Sequence, residues 1–347
     1  TAGNITLDGS EENTLSRVTT TEAITLRAIS DNNTITRSTV GLIDITEDSR
    51  NNTVRANDAA IRVAGQNSYD NRLLDNDAAD GDVGIELDQA SRTLVRNNTI
   101  TNNSQGILLE GASDNRLLNN TATGNDGAAY RSRNGSINNT VEALTIGPTV
   151  SFRSRDVALA TEPAPPAPPA GRTDVGVFLE ATPTSPDAWL DLTTSYPDPT
   201  ADVDEASIRL WQYNDTWAEV SGGNRVDPAT NTVRANVTAG EFGVLAPLAN
   251  GTSDDTTAPT VTGFDARADG DTLVVAFDAS EPLAAIDAAV TNTTGATVAR
   301  LNASDFTHAG TGPYTYTGRV SLPNGTYTAT LERATDAAGN DGAAGQS

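Results

Sequence analysis

The chain has 347 residues, of which 46 are acidic and 22 basic, for a formal net charge of −24; every basic residue is Arg, and Cys and Met are absent. That length implies two or three domains of roughly 100–200 residues each. The charge opposes nucleic-acid binding, which needs a basic face, the missing Cys excludes disulfides and thiolate metal sites, and no stretch approaches the roughly 18 apolar residues of a transmembrane segment.

Val, Ile, Leu and aromatic residues recur in regular patterns, so the acidity reads as a solvated surface and not as disorder. A carboxylate-covered surface without Lys stays hydrated at molar salt, where the Debye length falls to about 3 Å. The expectation is a halophilic protein. Without Met, Thr1 reads as a processed N-terminus left by removal of a signal peptide, which places the protein outside the cell or on its surface. Asn-x-Ser/Thr sequons support export. They begin at Asn4, Asn32, Asn51, Asn97, Asn102, Asn119, Asn134, Asn138, Asn214, Asn236, Asn250, Asn292, Asn302 and Asn324. Several are expected to be glycosylated; the alternative is that a chain rich in Asn and Thr produces the pattern through turn chemistry.

Residues 1–145 repeat. Asn followed by Thr or Arg and then an aliphatic returns at Asn13, Asn33, Asn52, Asn71, Asn115 and Asn139, with Arg92-Thr93-Leu94 in the equivalent place between Asn71 and Asn115. The step is about 20 residues and lengthens toward the C-terminal end. A second strand keeps the same period at 41–45, 60–63, 84–87 and 106–109, each followed by a turn rich in Ser, Asp, Asn or Gly. Short strands at this period are the coils of a right-handed parallel β-helix, here about seven of them. Aliphatics stack into the core, and Asn holds a corner in the left-handed conformation while its amide bonds to the next coil. The N-terminal segment 3–7 either caps its own first coil or adds as a strand to a neighbouring subunit.

Residues 146–250 read as a β-sandwich-like domain with strands at 150–159, 175–179, 188–192 and 207–213, and a hairpin tip at Asn214-Asp215 leading to Trp217. The Pro-rich stretch 162–170 is a surface loop or a stiff spacer. All three Trp fall in this domain and form a small aromatic core or, alternatively, a sugar-stacking platform. Residues 251–347 contain strands at 272–277, 288–291, 314–320 and 327–331, which imply an immunoglobulin-like β-sandwich. The whole chain is therefore all-β.

Candidate chemistry is sparse. Asp75, Asp77, Asp80 and Asp82 form the densest acidic cluster, and alternating carboxylates can supply oxygen ligands to calcium, although the EF-hand spacing and its late Glu are missing. Asp254 or Asp255 with Asp336, Asn340 and Asp341 is a second candidate calcium site. A solvated acidic loop is the competing reading at both, and no cofactor is required. Asp44 and Glu86 lie on strand-like segments and Glu110 just after one, without forming a catalytic constellation. His308 is the single His, near a turn of the third domain, and no nucleophile elbow accompanies it.

The run from Val83-Gly84-Ile85-Glu86-Leu87 through Asn97-Asn98-Thr99-Ile100 to Gly106-Ile107-Leu108-Leu109 resembles the NosD-like β-helix repeats, a family that includes periplasmic copper-processing proteins and carbohydrate-active enzymes. The resemblance implies the fold and leaves the activity open. Residues 146–249 resemble a region that follows β-helices in haloarchaeal surface proteins, through Asp156-Val157-Ala158-Leu159, the Pro-rich loop, Ala188-Trp189-Leu190 and Ile208-Arg209-Leu210-Trp211. Thr257-Ala258-Pro259-Thr260-Val261 and Asp336-Ala337-Ala338-Gly339-Asn340 resemble the ends of Ig-like modules in bacterial and archaeal adhesins. Together these imply an extracellular structural glycoprotein of a halophilic archaeon: an adhesin, an envelope component or a filament subunit. Its expected partners are other envelope proteins, copies of itself or surface glycans. The alternative is a carbohydrate-binding protein, or a lyase or hydrolase cleaving polysaccharide.

Overall fold

A computed structural model describes residues 3–199, 203–251, 257–309, 314–336 and 338–342. The chain divides into two compact units, 1–250 and 251–347.

The first unit opens as a right-handed parallel β-solenoid. Three walls of short strands stack coil upon coil. On the first wall Ile5, Ile24, Ile43, Ile61, Ile85, Ile107 and Tyr130 stand in one parallel register. On the second, Leu15, Ile35, Val54, Leu73, Val95, Leu117 and Val141 do the same. The expected seven coils are thus seven rungs joined by six steps. From Ile24 to Val141 these side chains point inward and are almost wholly buried, because alternate residues of a strand face opposite sides. A third wall becomes separate where coils lengthen, with strands Asp77–Ala79, Thr99–Thr101 and Thr121–Thr123. The extra residues of these coils build a third corner, which explains the drift of the period.

Corners are held by buried amides. The backbone N–H of Asn13, Asn33 and Asn52 donates to the Oδ1 of Asn33, Asn52 and Asn71, at 2.8, 2.8 and 2.9 Å. Thr93 takes the next place, and Asn115 and Asn139 continue the ladder. The left-handed conformation lies one residue earlier than expected, at Asn32, Asn51, Asp70, Arg92, Asp114 and Asn138. A left-handed residue turns the chain outward, so the side chain after it points inward, where its amide replaces the missing strand hydrogen bonds.

The solenoid ends where pairing changes sense. Strands Thr149–Arg155 and Val157–Thr161 run antiparallel onto the last coil, opposite Val141 and Tyr130. Tyr130 fills the place of an aliphatic and packs edge-on to Phe152 at 4.8 Å. Antiparallel strands then continue to residue 251 in the same sheet. The expected strand at 175–179 is instead two, Arg172–Asp174 and Leu179–Pro183. The hairpin tip is where it was expected: Val203–Asn214 pairs with Thr216–Glu219 across Asp215, whose φ is 64°. At the other end Ile5–Asp8 pairs with Ala23–Arg27 of its own chain as an ordinary rung. The second unit has a four-stranded and a three-stranded antiparallel sheet around Val275, Phe277, Val290, Tyr316 and Leu331.

Candidate functional site

The outward residues of the first wall gather charge that the sequence scatters. Asp44, Arg62, Glu86, Leu108 and Arg131 occupy one row across five rungs. Asp88, Glu110 and Arg133 occupy the next row outward. Arg62 stands at the centre, 3.5 Å from Asp44, 3.3 Å from Glu86 and 3.1 Å from Asp88. Arg133 closes on Glu110 at 2.6 Å. Glu110 is the last residue of strand Gln105–Glu110, not a residue beyond it. Burial pushes the carboxyls of Asp44 and Glu86 above their ordinary values, against the pull of the Arg62 guanidinium. Asp44 and Glu86, read separately as isolated carboxylates, therefore belong to one half-buried ion-pair cluster. Arg62 was overlooked. It is the residue between two aliphatics in 61–63, as Asp44 and Glu86 are in 43–45 and 85–87.

The first calcium candidate is spread around one coil. Asp75 is bound by Arg55 at 3.0 Å and accepts a hydrogen bond from Asn97. Asp77, Asp80 and Asp82 are exposed, Asp77 on a strand and Asp80 in a left-handed turn. At the second candidate, Asp254 and Asp255 lie outside the described residues. Asp336 is buried and accepts hydrogen bonds from the backbone and side-chain nitrogens of Asn340, both at 2.9 Å. Burial opposes its ionisation, but the bonds from Asn340, Gly339 and Ala338 prevail and hold its carboxyl below the usual range. Asp341 receives the backbone N–H of Ala334. Among the described residues, no group of three or more His, Cys, Asp or Glu is placed to hold a metal ion.

All the sequon asparagines are exposed except Asn292, which is half-buried. Asn134 donates to Glu110, while Asn292 and Asn302 accept from the backbone N–H of Thr294 and Ser304. In the solenoid, the sequon residues Asn32, Asn51, Asn97, Asn102, Asn119 and Asn138 are left-handed and precede a buried ladder residue. All three Trp are half-buried and none belongs to the buried core: Trp217 donates to the Ala167 carbonyl at 2.7 Å, pinning the Pro-rich loop, and packs on Tyr213 at 5.4 Å, while Arg172 lies 4.7 Å over the Trp211 ring. His308 is exposed on strand Phe306–Ala309, not at a turn, beside Tyr314 and Tyr316.

Fold and corner ladders define a parallel β-solenoid protein. Residues 4–158 match the profile of a family described as periplasmic copper-binding protein (NosD), over less than half of the chain. Among solved structures the chain is similar to a mutant of the periplasmic alginate epimerase AlgG, at 18% identity and a TM-score of 0.34, over 41% of this chain and 35% of that one. This chain thus spans about a third of that enzyme's length. A search of the curated proteins found no match. Protein copper sites are built chiefly on thiolate, thioether and imidazole ligands. Residues 4–158 contain no Cys, Met or His, so their donor set does not fit copper.

Proposed function

We propose that this is a non-catalytic structural or adhesive protein working outside the cytoplasm, most simply on the cell surface. The carrying observation is the single hydrogen-bonded sheet that begins in the first coil, runs the length of the solenoid and continues through the antiparallel strands to residue 251. Amide ladders and a shared core make such a sheet a stiff element, suited to holding a surface away from its attachment point. The match to a periplasmic family supports a location outside the cytoplasm. The two antiparallel sheets of the second unit favour an Ig-like module, used as spacer or adhesion unit. Acidic composition with Arg as the only strong base favours a halophilic, archaeal source, and the exposed sequons favour a glycoprotein.

The test is protease treatment of intact cells, with the deletion strain scored for attachment. Cleavage of the protein on intact cells and loss of attachment or envelope integrity are the expected results. A cytosolic, protease-protected pool would sink the reading, as would turnover of a polysaccharide abolished by Glu86→Gln.

A further inference from the structure

The outward face of the second wall differs from the rest of this acidic molecule. Its strands are only three residues wide and run Thr53–Arg55, Arg72–Leu74, Leu94–Arg96 and Arg116–Leu118 on successive rungs. Register places Arg72, Leu94 and Arg116 in one outward row. Arg55, Leu74, Arg96 and Leu118 stand in the other. Each of these four rungs thus shows one Arg, and the Arg alternates between rows, with Thr53 in the vacated place on the first rung and Leu on the other three. The sole acidic residue on the outward face of this wall is Glu142, beyond Leu118. All four arginines are exposed; Arg55 pairs with Asp75 at 3.0 Å and Arg116 with Glu142 at 3.8 Å, while the side chains of Arg72 and Arg96 have no ion pair or hydrogen bond among the described residues. Along the first of these rows runs a groove of about 490 Å³, which Arg72 and Leu94 share with the amides of Asn32 and Asn51 and with Arg92, held at 2.9 Å by the Asp70 carboxylate that also lines it.

We propose that this face binds an extended acidic polysaccharide laid along the solenoid axis. Rungs are spaced about 4.8 Å apart and the two rows about 6.6 Å apart. The guanidiniums therefore form a zigzag with one per rung, those of Arg72 and Arg96 at its centre free of carboxylates and those of Arg55 and Arg116 at its ends paired with exposed ones. A two-fold polyuronate ribbon carries one carboxylate per sugar, on alternate edges, with a rise close to one rung. Carboxylates of adjacent sugars meet the free planar guanidiniums of Arg72 and Arg96, suited to bidentate pairing, and those beyond them exchange with the exposed ion pairs of Arg55 and Arg116. The intervening leucines meet the C–H faces of the sugar rings, and the groove amides meet hydroxyls. The proposal goes beyond a structural role and does not depend on it.

The probe is polygalacturonate, offered to glycan-free recombinant protein, with neutral dextran and inorganic polyphosphate as comparisons. Arg72→Gln/Arg96→Gln removes two arginines that hold nothing in the fold, and Arg225→Gln/Arg333→Gln removes two exposed arginines elsewhere. Circular dichroism verifies folding in the same buffer. The expected result is binding of polygalacturonate that weakens with salt, falls roughly tenfold or more in the first variant and is unchanged in the second. Dextran does not bind. The proposal is overturned by no binding of polygalacturonate, by equal loss in both variants, or by polyphosphate binding as tightly, which would mean charge attraction without a ribbon. Self-association of the unaltered protein that the first variant abolishes would also overturn it, by assigning the face to a second copy.

Discussion

Arg62 separates three carboxylates on neighbouring rungs, and its removal leaves them facing one another with no cation between. At this half-buried position the expected cost of Arg62→Met is about 1–2 kcal/mol near neutrality, above the value of an exposed pair and below that of a fully buried one. The pH dependence has a definite sign. Burial raises Asp44 and Glu86, so the folded state holds their protons more tightly than the unfolded chain. Their contribution is most favourable below the ordinary carboxylate range and declines as pH rises through the raised values. Chemical denaturation should therefore show the Arg62→Met deficit shrinking in mild acid; a deficit independent of pH would mean that carboxylate repulsion is not its cause. Glu241 behaves oppositely. Burial opposes its ionisation, but it accepts the N–H and hydroxyl of both Ser221 and Thr238, which together hold its carboxyl below the usual range. Its stabilisation is present above the unfolded value and is lost as pH falls through the lowered one. Glu241→Gln should cost about 1–2 kcal/mol near neutrality and flatten the acid limb of the stability curve.

At the scale of the coil, neighbouring asparagines have unequal weight. Asn98 is buried; its Oδ1 accepts from the backbone and side chain of Asn76, and its Nδ2 donates to the Leu73 carbonyl. Asn98→Ala strands these groups in the core and should cost about 3 kcal/mol or more. Asn97, exposed at φ 55°, makes one side-chain bond to Asp75. Asn97→Gly suits the left-handed backbone and should change stability by less than about 1 kcal/mol. Equal losses by urea denaturation would contradict the ladder. The first of these ladders was legible because Asn13, Asn33 and Asn52 each precede Thr and an aliphatic. The second, from Ser38 through Asn57, Asn76, Asn98 and Asn120, was not, since Asn57 and Asn76 precede Asp and Ala. The third corner, at Asn103 and Asn125, exists only in the longer coils. Unequal coil lengths also hid both charged faces. Asp44, Arg62 and Glu86 become neighbours, and Arg55 to Arg116 a zigzag, only when hydrogen-bond register aligns the rungs. Residue spacing alone aligns neither; the place between two aliphatics shared by Asp44, Arg62 and Glu86 is the trace that the sequence carries of the first.

For the molecule as a whole, the decisive property is how far cooperativity extends. Sequence divides residues 1–250 near 145, where the repeat stops. The structure carries one core across that point, from Ile24 through Val141, Phe152 and Leu192 to Ala249, while Val261 to Ala334 form another. Neighbouring coils of a solenoid are coupled through their interfaces, and the antiparallel strands extend that coupling past the last coil. All three Trp, at 189, 211 and 217, report on residues 1–250 and lie outside the coils. Leu117→Ala, in a fully buried position of the sixth rung, should cost about 2–5 kcal/mol. If 1–250 unfolds as one unit, that substitution lowers the midpoint of the Trp fluorescence transition although no Trp is near it. Phe277→Ala, costing about 3–5 kcal/mol in the other core, should leave the Trp transition in place and lower a second transition seen by calorimetry. A Trp transition that ignores Leu117→Ala would instead mean that the coils and the antiparallel strands unfold separately, with the boundary near residue 145 setting the limit of the stiff element.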